Sequence, residues 1–516
     1  MDSNSIYDVI IIGSGFGGAM SAWALVQAGF RVLMVERGDW VPRGEHNWGP
    51  RGSVYFTPYY STESIIKVKN DKKGIKVGMY YNVGGPSVFY GAVSLRFREA
   101  DFTPPEEIIT SSGACWPISY EDLEPYYTQA ENLLNIAGET GNDPTEPYRS
   151  TPYPQKLGSL SRTSQLIGET ATKMGLHPFR LPLAINYQNQ EQTRCVECTT
   201  CDTFACAIGS KNDLATRIIP RLMQKGMTLK DNTVAVRLIQ TDKQITAVEC
   251  IDKKKNKRVT FRAKLFILSA GALASPHLIL SSGLEGANPA GNLIGRYLMR
   301  HCSAIVYGFF PDAPAKENRF HKQLGIHDFY FGLPLINSSL KKLGSIQQVQ
   351  TPPVNLVKEM LPPGIGSLVS KTVKFLTGLL VQAEDQPRYD NAISVDFSQK
   401  DPYGFPAMII SHQYSKRDLT ARNLLIKEAK KILRKAGALF CYVHHINTFS
   451  HAVGTIRMGT DPHSSVLDEH CQFRGIHNLF IIDGSFMPTS AAVNPSLTIA
   501  ANALRVGEYI TKQFKG

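Results

Sequence analysis

Gly13-Ser14-Gly15-Phe16-Gly17-Gly18 follows directly on the apolar run Val9-Ile10-Ile11-Ile12 and leads into helix-forming Ala19 to Leu25. Glycines in this spacing suit a pyrophosphate. Gly13 permits the tight turn, Gly15 lets the backbone approach the phosphates, and Gly18 lets the next helix close on the strand. Glu36 ends a second apolar run, Phe30 to Val35, and lies 18 residues after Gly18, where an acid would hold an adenosine ribose. A bound dinucleotide is therefore expected. A second set of reactive residues, Cys195-x2-Cys198-x2-Cys201-x4-Cys206, places four thiols within twelve residues. Two-residue gaps let successive thiolates converge on an iron-sulfur cluster, although the last gap is longer than in the ferredoxin run. Zinc fits less well, because two knuckles separated by a longer stretch are absent. A metal-free cysteine-rich loop is the remaining reading.

These groups need elements to hold them. The chain opens as strand, glycine turn and helix, and Gly38 to Ser53 reads as loop. A second glycine-dense segment, Val83 to Gly91, leads to Arg96, and Gly84 and Gly85 would let backbone lie against a flat ring system. Ser119, with Asp122 three residues on, caps a helix expected to reach about Ile136. Residues 229–268 alternate in short runs that include Val234, and read as a β-meander with Lys253-Lys254-Lys255 in a solvated hairpin. Its last part, Leu265 to Leu268 before Ala270-Gly271, reads as a buried strand that returns to a parallel sheet and touches the same dinucleotide. Leu479 to Ile482, before Asp483-Gly484, is another buried strand. Asn494-Pro495-Ser496 opens a helix to about Gln513, with Pro495 at its favoured first position. The expected fold class is α/β: a Rossmann-like cofactor domain assembled from discontinuous segments (1–100, 206–310 and 445–516), a cap segment with the cysteines (101–205), and an α+β substrate domain with an antiparallel sheet (311–444).

A length of 516 residues suits two intimately joined domains, and 43% apolar residues can fill a large core. The net charge of +12 is spread along the chain, which argues against nucleic acid as a partner. The first strand begins too early for a charged segment and an apolar segment of a signal peptide to precede it, and nine cysteines without one suggest reduced thiols and a cytoplasmic location. The apolar window Ile365 to Val381 is interrupted by Lys371 and Lys374 and is short for a bilayer. The spacing of Leu368, Val369, Phe375, Leu376, Leu379 and Leu380 reads as an amphipathic helix, packed on the core or making peripheral contact with a membrane.

Several separated blocks match one pattern: the fingerprint with Glu36; Gly84-Gly85 to Arg96; Gly271-Ala272 through Ser275-Pro276 to Ser281-Ser282-Gly283; and His451-Ala452-Val453-Gly454-Thr455 through Asp483 to Asn494. In these blocks the chain resembles the glucose-methanol-choline (GMC) family of FAD-dependent oxidoreductases, nearer to bacterial members similar to cholesterol oxidase and to flavin sugar dehydrogenases. The resemblance implies that FAD accepts a hydride from a carbon bearing a hydroxyl while a base takes the hydroxyl proton. By position His451 matches that base and Asn494 the second polar residue. A neutral imidazole can accept an alcohol proton near neutral pH, and a carboxamide can donate to the same oxygen. The helix at Asn494 would aim its positive end at the flavin pyrimidine edge. FAD contacts are implied for Gly13, Gly15, Phe16, Gly17 and Gly18, for Glu36 with Arg37, and for Gly84, Gly85, Ser87 and Gly91. They are implied likewise for Val234, Ala270 and Gly271, for Asp483 with Gly484, and for Asn494, Pro495 and Ser496.

Two departures from the family pattern matter. Tyr90 stands where many members have an asparagine, and the segment has no histidine to link the flavin, so bound but unlinked FAD is implied. Flavin dehydrogenases of the family are similar in carrying cysteines at this location, so Cys195, Cys198, Cys201 and Cys206 are candidate iron-sulfur ligands. A cluster would hand electrons to a redox carrier, and without one oxygen is the credible acceptor. The apolar window favours a bulky hydrophobic alcohol such as a sterol or long-chain alcohol. A sugar or glycoside is the alternative, and a lyase or photoenzyme on the same scaffold a further one. Glu384 and His327 lie in the expected substrate domain, but no spacing selects them, and His444 and His445 carry no catalytic context.

Overall fold

The computed structural model describes residues 6–56, 64–70, 77, 79–188, 193–332, 340–362 and 364–514. Its largest sheet has seven strands in the order Thr228–Lys230, Val32–Val35, Ile6–Ile12, Lys257–Leu268, Gln244–Asp252 and Thr233–Thr241, with Leu479–Ile481 also paired to Lys257–Leu268. Strand Ile6–Ile12 runs parallel to both neighbours. The long strand Lys257–Leu268 changes character along its length. Its first half is hairpinned to Gln244–Asp252 and alternates in exposure, while its last four residues lie between Ile6–Ile12 and Leu479–Ile481 and are all buried. A strand covered on both faces reads as a continuous apolar run, and one covered on a single face alternates. The meander, its hairpin and the returning strand are thus all present. Helix Phe16–Gln27 follows the glycine turn and packs on the C-terminal helix Ser496–Phe514, which also contacts helix Tyr120–Leu133, capped by Ser119 and Asp122 as expected.

A second sheet is wholly antiparallel, in the order Phe440–His445, Cys302–Phe309, Leu376–Ala383, Gly344–Val349, Leu324–Ile326 and Pro178–Arg180. Helices Lys416–Lys435 and Arg162–Lys173 cover one of its faces, and Ala304, Val306, Leu379 and Val381 fill the core between them. A small third sheet joins Ala392–Lys400, Pro406–Ser411 and Ile66–Val68.

The apolar window corrects one expectation. Ile365 to Val381 is not a single amphipathic helix: it divides into helix Ile365–Ser370, a tight turn Val373–Phe375, and strand Leu376–Ala383 at the centre of the antiparallel sheet. Apolar runs of this length fit either state by periodicity, and pairing with strands on both sides decides for the strand. Among the described residues no helix is long and apolar enough to cross a membrane.

Candidate active site

The glycine turn is built by close approach. A Cβ added at Gly13 would lie 2.3 Å from the Ser269 carbonyl oxygen, at Gly17 1.6 Å from that of Ile482, and at Gly18 2.0 Å from that of Gly13. Gly15 differs: no atom lies within 4 Å of its missing Cβ, and it stands at the N-terminus of helix Phe16–Gln27. Open space in front of unpaired helix N–H groups suits a phosphate. The second glycine segment closes on the first. Gly85 approaches the Cα of Gly15, Gly84 N donates to Ser14 Oγ at 2.9 Å, and Ser87 Oγ donates to the Gly84 carbonyl at 2.7 Å.

Glu36 accepts from Ser14 Oγ at 2.6 Å and from Gly38 N at 2.8 Å, and burial pushes its carboxyl above the usual range. Thr233 N donates to the Glu36 carbonyl, which brings Val234 beside it. Arg37 lies over the Tyr81 ring at 4.2 Å and donates to Ser64 Oγ. The far ends of the sheet meet at Asp483, whose carboxylate accepts from Gly271 N at 2.9 Å, Ser275 Oγ at 2.5 Å and Ser485 N at 2.8 Å. Ala270-Gly271 and Asp483-Gly484 are thereby fixed next to the glycine turn. The ring of Phe16 stands 5.7 Å from that of Tyr90, and Gly91 adjoins the ion pair of Lys322 and Asp202, which is 2.7 Å long. These segments together form a cradle that fits a flavin dinucleotide.

His451 is half-buried, and its Nδ1 lies 3.1 Å from Nδ1 of His301. The other nitrogen of His301, Nε2, is 3.0 Å from the Ser490 carbonyl oxygen. A carbonyl can only accept, so His301 carries its proton on Nε2 and accepts on Nδ1 from the Nδ1–H of His451. That leaves Nε2 of His451 unprotonated. Desolvation first, and the nearby Lys322 ammonium, hold the His451 pKa down to about 3. His301 is itself clamped. Asp385 accepts from the backbone N–H groups of Arg300 at 2.8 Å and His301 at 3.1 Å and from Ser490 Oγ at 2.9 Å. With φ of 60° and 52°, His301 and Ala491 occupy left-handed conformations that persist only where the surroundings dictate them.

Asn494 lies immediately before the C-terminal helix, and its Oδ1 accepts from Gln347 Nε2 at 3.0 Å. With the oxygen so engaged, its NH₂ group is the donor that remains. No hydrogen bond joins His451 to Asn494 among the described residues; Ser490, bonded through His301 to His451, lies four positions before Asn494 in the chain. Pro495 and Ser496 continue from Asn494 into the helix, so the positive end of that helix lies at the same place.

Four other residues at this site have no motif around them. Glu384, passed over in the sequence, is fully buried and accepts from Ala491 N at 3.0 Å. Lys342 bridges Glu384 and Asp101, at 2.6 Å from each, and Tyr330 donates to Asp101 and accepts from Ala492 N. His327 pairs instead with Asp143 and Arg98, away from His451 in the bonding network.

The iron-sulfur expectation finds no support. Among the described residues no group of three or more His, Cys, Asp or Glu side chains is placed to hold a metal. Burial pushes the Cys195 thiol up to about 12 and that of Cys201 higher still. Cys198 and Cys206 are likewise free thiols. The segment is held as a loop by buried Lys211, whose Nζ donates to the carbonyls of Tyr90, Cys201 and Phe204.

A mixed sheet with a dinucleotide cradle, joined to a half-buried histidine and a separate antiparallel sheet, fits a cofactor-dependent oxidoreductase. Family models described as GMC oxidoreductase match residues 7–303 and 387–503, and the chain belongs to the GMC oxidoreductase family. It is 29% identical to a paromamine 6'-oxidase of Streptomyces fradiae over 98% of this chain and 91% of that one. It is 28% identical to a 2-methyl-1,2-propanediol dehydrogenase of Mycolicibacterium austroafricanum over 98% and 95%. A cholesterol oxidase of Mycobacterium tuberculosis is 22% identical over 97% and 90%. Among solved structures, pyridoxine 4-oxidase from Mesorbium loti superposes with a TM-score of 0.66 at 18% identity over 99% of both chains. A formate oxidase superposes with 0.71 at 14% identity over 100% of both. The protein is therefore an FAD-dependent oxidoreductase acting on CH–OH groups of the alcohol or sugar type.

Proposed function

We propose that His451 is the general base and Asn494 the oxygen-orienting group of an alcohol oxidation in which FAD, bound without a covalent link, serves as hydride acceptor. The observation that carries this reading is the chain Ser490–His301–His451, which presents an unprotonated Nε2 on a histidine kept neutral by burial. A base of this kind takes the hydroxyl proton as the carbon gives up its hydride. The Asn494 NH₂, with its oxygen held by Gln347, steadies the same substrate oxygen. Tyr90 and the absence of histidine in Val83 to Gly91 support unlinked flavin. Of the two substrate classes, a hydroxylated, sugar-like alcohol is favoured over a sterol, because the strand that replaces the expected apolar helix turns glutamine towards the site. Oxygen or a redox carrier then removes the electrons.

Anaerobic mixing with alcohols tests the reading by the bleaching of the flavin band. In His451→Ala the reduction rate should fall by about 10²–10⁴-fold, the range of a lost general base, while FAD is retained. An equal loss of FAD would make His451 structural.

A further inference from the structure

Strand Leu376–Ala383 alternates its side chains across the antiparallel sheet. Leu379 and Val381 face helix Lys416–Lys435, so Leu380 and Gln382 face the other way. Register places Gln382 opposite Ser345 on one neighbouring strand and Ser303 on the other. Ser345 and Gln347, two residues apart, share that face, and both reach the segment before the C-terminal helix. Ser345 Oγ donates to the Ala492 carbonyl at 2.7 Å, and Gln347 Nε2 donates to Asn494. Two positions beyond Gln382, Glu384 takes the N–H of Ala491. This polar stripe therefore lies above residues 490–494, within the same network as His301 and His451.

Within the stripe Gln382 is fully buried, yet neither its amide nitrogen nor its amide oxygen has a hydrogen-bond partner among the described residues, and Oε1 of Gln347 has none either. A buried donor and acceptor left unpaired cost free energy that an apolar side chain of the same size would avoid. Gln382 stands in a strand otherwise composed of Leu, Thr, Gly, Val and Ala. A hydroxyl group, at once donor and acceptor, meets both needs, whereas a sterol ring or alkyl chain meets neither.

We infer that Gln382, with Gln347, forms a hydroxyl-reading subsite beside the reacting carbon, and that the substrate class is a polyol or sugar with a second hydroxyl near the one oxidised. The inference rests on the proposed CH–OH oxidation at His451 and deepens it. A site that pairs with a substrate hydroxyl discriminates strongly against an analogue lacking it, because its own polar groups are then left bare.

The test is anaerobic flavin reduction with a matched panel: C3 to C6 alkanols, the corresponding 1,2-diols, hexoses, and cholesterol in detergent. In the unaltered protein, diols or hexoses should reduce the flavin at least about 10-fold more efficiently than the alkanols. Gln382→Met should erase that advantage by lowering the efficiency with diols and hexoses to the alkanol level, with FAD retained and the melting temperature in the absence of substrate equal or higher. A preference for cholesterol or alkanols overturns the subsite. So does a variant that loses FAD or melts earlier, since Gln382 would then serve the flavin or the fold. If no alcohol in the panel bleaches the flavin, the oxidation reading itself fails and the subsite falls with it.

Discussion

At the scale of single residues, the decisive contact is a pair of histidine rings 5.2 Å apart at their centroids and nearly perpendicular. His301 fixes which nitrogen of His451 bears the proton, which in the proposed oxidation makes it a positioning residue. Substituting His301→Ala should slow flavin reduction by roughly 10- to 100-fold, with FAD content unchanged, by analogy with the loss of partners that orient histidine ligands. In the unaltered protein the rate should stay level from pH 8 to pH 5. It should decline only as pH approaches the His451 value of about 3, because protonation removes the base. In His301→Ala the onset of that decline should move; an unchanged profile with a slower rate would mean only a packing defect. His451 and Asn494, the proposed base and orienting group, stand out in the sequence because each sits in an ordered block of neighbours. His301 could not, since a histidine at the head of a buried strand carries no pattern, and its contact with His451 spans 150 positions.

At the scale of elements, the glycine turn separates two roles that the motif presents together. Gly17→Ala should destabilise the protein even without cofactor, because the new Cβ would lie 1.6 Å from the Ile482 carbonyl oxygen and push helix Phe16–Gln27 off the sheet. Gly15→Ala meets nothing within 4 Å and has an ordinary φ of −70°, so the apoprotein should melt within about 1 kcal/mol of the original. Its FAD affinity should nevertheless drop, as the methyl group occupies the phosphate space. Differential scanning calorimetry of apoproteins, paired with FAD titration, checks both; equal melting of the two variants would refute the distinction. The strand, turn and helix were legible because period, glycine spacing and Glu36 agree. The window Ile365 to Val381 was not, since a central strand buried on both faces and a buried helix show the same apolar run. Gln382, the residue just past it, marks a face turned to polar company.

At the scale of the whole molecule, several histidines are kept neutral inside the fold. His277 and His321 are held down to about 4 and His451 to about 3, each chiefly by burial. The unfolded chain binds protons at these positions below about pH 6.5, whereas the native protein does so only near pH 4 or lower. Their contribution is complete above pH 6.5 and is lost as pH falls towards 4, each unmatched proton lowering stability by about 1.4 kcal/mol per pH unit. The unfolding midpoint in urea should decline over that interval, and less so in His277→Gln; a flat midpoint would show these sites to be hydrated.

The sheet that holds the cofactor takes its strands from both ends of the chain. Lys257–Leu268 needs Leu479–Ile481 beside it, and Phe16–Gln27 rests on Ser496–Phe514. During translation at about 5–20 residues per second, the N-terminal strand waits on the order of tens of seconds before its last partners emerge from the ribosome. FAD therefore cannot be captured by the nascent chain in its final cradle. Loading must wait until Leu479–Ile481 and Ser496–Phe514 have emerged, and until then the apolar edge of the half-built sheet lies open to aggregation.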